Sequence, residues 1–65
     1  MQIILNGEPR DVQASVLSDL MEELGLAGAK VATAVNEDFV PVGSRTITVL
    51  SDGDRLEILA PMQGG

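Results

Sequence analysis

Residues 1–13, "MQIILNGEPRDVQ", decide how the chain folds. Met1, Ile3 and Leu5 alternate with Gln2, Ile4 and Asn6, the period of two that a half-buried strand requires. Asn6-Gly7 follows, a pair that tolerates positive φ at both positions and so favours a two-residue hairpin turn. Pro9 then stands in the returning strand without an N–H to donate, which predicts that this strand lies at a sheet edge. An edge partner on one side leaves the first strand needing a neighbour on the other.

The candidates come from downstream. "SVLSDLMEELGL", residues 15–26, places Leu17, Leu20, Met21 and Leu24 at i, i+3, i+4 and i+7, the stripe of one helix. Ser15 suits the N-cap, Asp19 suits the N-terminal end of the dipole, and Gly25 provides a left-handed stop. Residues 30–42, "KVATAVNEDFVPV", read as two short strands about a polar turn at Asn36-Glu37-Asp38, with Pro41 marking an end. Between residues 43 and 50, "GSR" favours a loop or one helical turn, whereas "TITVL" favours extension by β-branching. "SDGD" is a turn, and "RLEILA" alternates Leu56, Ile58 and Ala60 with Arg55, Glu57 and Leu59.

One helix covers one face of one sheet, so the architecture is a two-layer α+β roll. Parallel pairing of the first and last strands makes both central and leaves the Pro9 strand outside. That arrangement is the β-grasp, the fold of ubiquitin, here with a mixed sheet of about five strands. Residues 1–60 form the domain, and residues 61–65 are expected to be a flexible tail.

Composition removes most functions. The chain has 65 residues, so there is room for one small core. It has no Cys and no His, hence no thiolate, no imidazole base and no ordinary metal cage. Serines without a base are poor nucleophiles, so the protein is expected not to be an enzyme. A formal charge of −6, ten acids against four basic residues, disfavours nucleic acid and anionic membranes and favours a basic partner or simple solubility. The sequence shows no membrane-length apolar run and no secretory signal pattern, and the expected address is the cytoplasm. Asp52 and Asp54 flank Gly53, but the further oxygen ligands of a calcium loop are missing, so no metal site is assigned. Asp19, Glu22 and Glu23 fall off the apolar stripe and read as a solvated face.

Two features remain. If Ile3, Leu5, Leu56 and Ile58 face the helix together with Met1, then Ile4 and Leu59 face outward on central strands, a small docking patch continued by Met62. The second feature is "PMQGG", residues 61–65. At ~7% glycine usage a chance Gly-Gly at the end has odds of roughly 1 in 200. Two residues without Cβ form a strip that threads a narrow channel and leaves the terminal carbonyl unshielded. A carboxylate there becomes an acyl donor once its oxygen is made a leaving group, as adenylation by ATP on a partner enzyme would do. A sulfur nucleophile then displaces the adenylate, a role that needs neither His nor Cys in this chain.

In "MQIILNGEPR", "SVLSDLMEELGL", "VATAVNEDFVP", "LSDGDRLEIL" and the terminal "GG", the sequence resembles, over its whole length, the bacterial sulfur carrier proteins of thiamine biosynthesis, ubiquitin-like partners of thiazole synthase. The resemblance implies an E1-like adenylating enzyme that activates Gly65 with ATP and a persulfide-bearing sulfur donor that makes a thiocarboxylate. It implies further that thiazole synthase takes up the sulfur. Gly65 is then the reactive residue and Gly64 its flexible neighbour. Gln63 and Met62 lead the tail into partner channels, and no cofactor is held permanently. Gln63 departs from the small or apolar residue usual at that place in the family. Rival readings are the small subunit of molybdopterin synthase, a ubiquitin-like protein modifier, and an interaction domain using only the Ile4 and Leu59 face.

Overall fold

A computed structural model describes residues 1–60. β1 (Gln2–Leu5) and β2 (Glu8–Asp11) form the hairpin, with Leu5 opposite Glu8. Asn6 and Gly7 take φ of +48° and +88°, as the two-residue turn demands. α1 spans Leu17–Glu23, followed by β3 (Ala32–Val35), β4 (Asp38–Val40), a 3-10 helix (Val42–Ile47) and β5 (Arg55–Leu59). The sheet order is β2-β1-β5-β3-β4. β1 and β5 pair in parallel and occupy the interior of the sheet, and β2, with Pro9, is at the edge. This is the expected β-grasp arrangement.

The core lies between α1 and one face of the sheet. Ile3, Val12, Leu17, Leu20, Met21, Val40, Leu50 and Leu56 are buried, with Leu5, Val35 and Ile58 packed partly against them. Leu24, the fourth member of the helical stripe, sits just past α1 at the C-cap and is half-buried. Gly25 follows at φ +75° and ends the helix by the left-handed route. Burying each large aliphatic side chain contributes about 1.5–3 kcal/mol, the main favourable term available to so short a chain. Among the described residues, no helix is long and apolar enough to cross a membrane.

The local expectations are corrected at several points. Ser15 is not the N-cap: Val16 holds that position in extended geometry, without a side-chain cap. The reason is a backbone alternative. Val16 bridges Val49, Leu17 N–H donates to Thr48 O at 2.9 Å, and Leu50 N–H donates to Ser15 O at 2.7 Å. The same pairing explains residues 43–50. Thr46 and Ile47 enter the 3-10 helix despite their β-branching, held by Thr48 Oγ1 donating to Ser44 O at 2.7 Å, and extension is confined to the single bridge at Val49. Met1 does not join the core but stays 37% exposed at the sheet margin, its ammonium donating to Val12 O at 3.2 Å. The second turn is Asn36-Glu37, at φ +50° and +73°, and Asp38 already belongs to β4.

Candidate functional site at the end of the last strand

β5 runs through the middle of the sheet, so what holds β5 also sets where the described chain ends, at Ala60. Two asparagines do much of this. Each follows a strand, in a turn that puts it at positive φ, and each turns its carboxamide onto β5. Asn36 Oδ1 accepts from Arg55 N–H at 2.9 Å, and its Nδ2 donates to Asp54 Oδ1 at 3.1 Å. Asn6 Oδ1 accepts from Ile58 N–H at 2.8 Å, while its Nδ2 donates to Ile58 O at 3.2 Å. β1 has ended at Leu5, so the Asn6 side chain continues the parallel ladder where backbone no longer reaches. An amide side chain has one acceptor and one donor group, matching the backbone it replaces.

The Asp52-Gly53-Asp54 turn anchors the other end of β5. Asp52 Oδ1 accepts from Gln2 N–H at 2.8 Å and Asp54 Oδ2 from Ser51 N–H at 2.7 Å. Gly53 at φ +87° donates to Gln2 O at 2.7 Å. Both carboxylates serve the turn as acceptors of backbone N–H groups. Glu23 is similarly engaged. Its oxygens accept from Gln13 N–H at 3.0 and 3.1 Å and from Ala14 N–H at 2.8 Å, tying α1 to the loop after β2. The Gln13 bonds first, then the Ala14 bond, hold its carboxyl below the usual glutamate range. Of the three acids read as a solvated face, Glu23 therefore has a structural duty that helical spacing could not reveal.

The structure does not bring Ile4 and Leu59 together. Both lie on the sheet face away from α1, but Ile4 is half-buried and in register with Arg55, four residues before Leu59. At strand rise that separation is roughly 13 Å. The neighbours of Leu59 are different ones. Leu59, 65% exposed, pairs with Ala32, and with Phe39 and Val42, 68% and 69% exposed, it lines an open groove of about 670 Å³. Ala60, the last described residue, also lines it. Phe39, the chain's only aromatic residue, is not among the expected docking residues. The available signal was alternation: Val40 faces inward opposite Thr33, so Phe39 must face outward.

Two of the chain's four basic residues, Lys30 and Arg45, also line this groove. Arg45 is only 7% exposed; its Nε donates to Thr33 Oγ1 at 3.2 Å and its Nη2 to Val31 O at 2.6 Å. Thr33 Oγ1 passes the chain of bonds on, donating to Val40 O at 2.9 Å. Among the described residues, the one ion pair is the exposed Arg55–Glu37 contact at 3.8 Å. Met62, Gln63, Gly64 and Gly65 lie outside the described residues.

Comparison with known proteins follows the same outline. The model of the ThiS family matches residues 3–65. The sulfur carrier protein ThiS of Thermus thermophilus is 39% identical over 61 residues, covering 94% of this chain and 95% of its own length. A thiazole synthase of Paramagnetospirillum magneticum is 41% identical over 66 residues, and one of Magnetococcus marinus is 38% identical over 66. The chain spans only 20% of the length of each of these two synthases. The crystal structure of the thiamine biosynthesis protein ThiS from Geobacter metallireducens superposes with a TM-score of 0.84 at 29% identity, covering 100% of both chains.

Proposed function

The chain belongs to the ThiS family, the sulfur carriers of thiamine biosynthesis, and we propose that it works through the C-terminal carboxylate of Gly65. The observation that carries this reading is a family match running through the terminal Gly64-Gly65 of a chain with no Cys and no His. A carrier of this kind is a protein co-substrate, and the chemistry is done on it by others.

In the proposed sequence, a carboxylate oxygen of Gly65 attacks the α-phosphorus of ATP on an E1-like adenylating enzyme, releasing pyrophosphate. A persulfide on the sulfur donor attacks the acyl carbon and expels AMP. Cleavage of the S–S bond by a thiol leaves the thiocarboxylate on Gly65 and a disulfide on the donor side. Thiazole synthase then receives the sulfur. Gly64 gives the carbonyl clearance, and Gln63 and Met62 lead the strip into the partner. The Leu59 end of the sheet, rather than a patch shared with Ile4, supports the body of the docked carrier, and Ile4 touches a partner only if the footprint extends across the sheet face.

The two synthases that contain a segment similar to this chain support thiazole formation over molybdopterin synthesis as the destination. The cytoplasm, which holds ATP and the thiol needed for the last step, is the proposed location. The test is intact mass after incubation with the adenylating enzyme, ATP and a sulfur donor. The expected product has one terminal oxygen replaced by sulfur, and an unchanged mass refutes the reading. Thiamine auxotrophy on deletion, without loss of molybdenum cofactor, identifies the pathway.

A further inference from the structure

We propose that the groove beside Leu59 is a recognition pocket for an apolar-plus-acidic segment of the enzyme that receives the tail, with Arg45 and Lys30 reading its carboxylate. The inference rests on the carrier reading, because it takes the occupant to be the protein that holds residues 61–65.

Three observations converge on it. The first is charge. In a chain of net charge −6, two of four basic residues line one groove whose walls are otherwise Phe39, Val42, Leu59 and neighbouring aliphatic groups. The second is the state of Arg45. A buried guanidinium ordinarily has a carboxylate partner, since desolvating an isolated charge is costly. Here Nε and Nη2 are spent on a hydroxyl and a carbonyl, and no carboxylate pairs with Arg45 among the described residues. Nη1 makes no hydrogen bond among the described residues. Val31 and Thr33 hold the planar fork in one orientation beside the groove that Arg45 lines, so a carboxylate placed there meets a pre-organised guanidinium. The third is position. Ala60 lines the groove and immediately precedes the tail, so a protein gripping residues 61–65 covers the groove as it does so.

An aliphatic side chain seated against Phe39, Val42 and Leu59 loses apolar surface to the groove, and an adjacent Asp or Glu meets Nη1 of Arg45 and the Lys30 ammonium. The apolar part supplies affinity, while the charged part fixes orientation and rejects a basic surface at that point.

The test is calorimetric titration of the full chain with the thiazole synthase of the same cells. Lys30→Glu and Val42→Asp alter exposed residues and preserve the fold, which circular dichroism verifies. Each is expected to weaken binding about tenfold. Arg45→Gln, if folded, is expected to weaken it about thirtyfold or more. Arg10→Glu, on the distant edge strand, should bind like the unaltered chain and so controls for overall charge. Near-unaltered binding by both Lys30→Glu and Val42→Asp overturns the pocket but leaves the carrier reading standing. Equal weakening by Arg10→Glu also overturns it, because the effect would then be general charge. Absence of any binding by the unaltered chain overturns both the pocket and the synthase as partner.

Discussion

The carboxamide of Asn6 pairs with both backbone groups of Ile58, accepting at 2.8 Å and donating at 3.2 Å across 52 positions of sequence. A residue chosen for a turn thereby also completes the ladder that holds the last strand beside the first. Asn6→Gly separates the two roles, because glycine keeps the positive φ and lacks the side chain. It is expected to cost about 1–2 kcal/mol, the net value of two partly solvated hydrogen bonds. Urea unfolding measures the loss, and faster exchange of the Ile58 amide locates it. Unchanged protection of that amide would show that the pairing contributes nothing.

Glu23 makes stability depend on pH in a definite direction. Its folded-state pKa is lowered below the ordinary value of 4.5 by the Gln13 and Ala14 N–H groups. The bonus is therefore complete above pH 4.5 and disappears as pH falls through the lowered folded pKa. Glu23→Gln should be less stable than the parent at neutral pH, with the gap closing in acid. Thermal unfolding from pH 7 down to about pH 3 follows this, and a gap that stays constant contradicts it.

Thr33 is the buried relay between Arg45 and the edge strand β4. Thr33→Val preserves shape but leaves Arg45 Nε without its acceptor, while Val40 O loses one donor and stays in the β3–β4 ladder. Leaving buried polar groups unsatisfied costs about 1–3 kcal/mol, so the midpoint of urea unfolding should drop accordingly. A neutral result would mean that water replaces the hydroxyl.

Leu56 is fully buried on β5, in register with Leu5 on one side and Val35 on the other. Leu56→Ala is expected to cost about 2–5 kcal/mol, enough to leave a domain this small largely unfolded at 37 °C. Far-UV circular dichroism and one-dimensional NMR dispersion report it directly.

The described core ends in sequence at Leu56, with Ile58 packed against it, well before Gly64 and Gly65. A chain shortened by these two glycines should unfold within about 0.5 kcal/mol of the parent, yet show no sulfur incorporation by mass. A loss of stability comparable to a core substitution would instead make the terminus structural.

Much of this was legible in the order of residues because the signals are local. Alternation in Met1–Leu5, the Asn6-Gly7 turn, Pro9, and the Leu17–Leu24 stripe each constrain a few neighbouring residues, and together they leave few topologies for a single helix and five strands. The Ser15 expectation failed where a local preference met a better tertiary option, the backbone pairing of Ser15, Val16 and Leu17 with Thr48–Leu50. Residues 43–50 were ambiguous for the same reason: β-branching favours extension, but 3-10 bonds and one bridge settle the segment only once both flanks are packed.

The site divides along the same line. Sequence alone determined that catalysis by this chain's own side chains was improbable chemistry, that the first and last strands should lie together, and that Gly64-Gly65 deserved a functional reading. Tertiary structure decided what surrounds the root of that tail. Facing direction follows from a period of two within one strand, but adjacency between strands depends on register. Parallel pairing of Ile4 with Arg55 carries Leu59 past the end of β1 and into the company of Phe39, Val42 and Arg45. Those contacts arise from hydrogen-bond register and loop closure across distant parts of the chain, which no local pattern encodes.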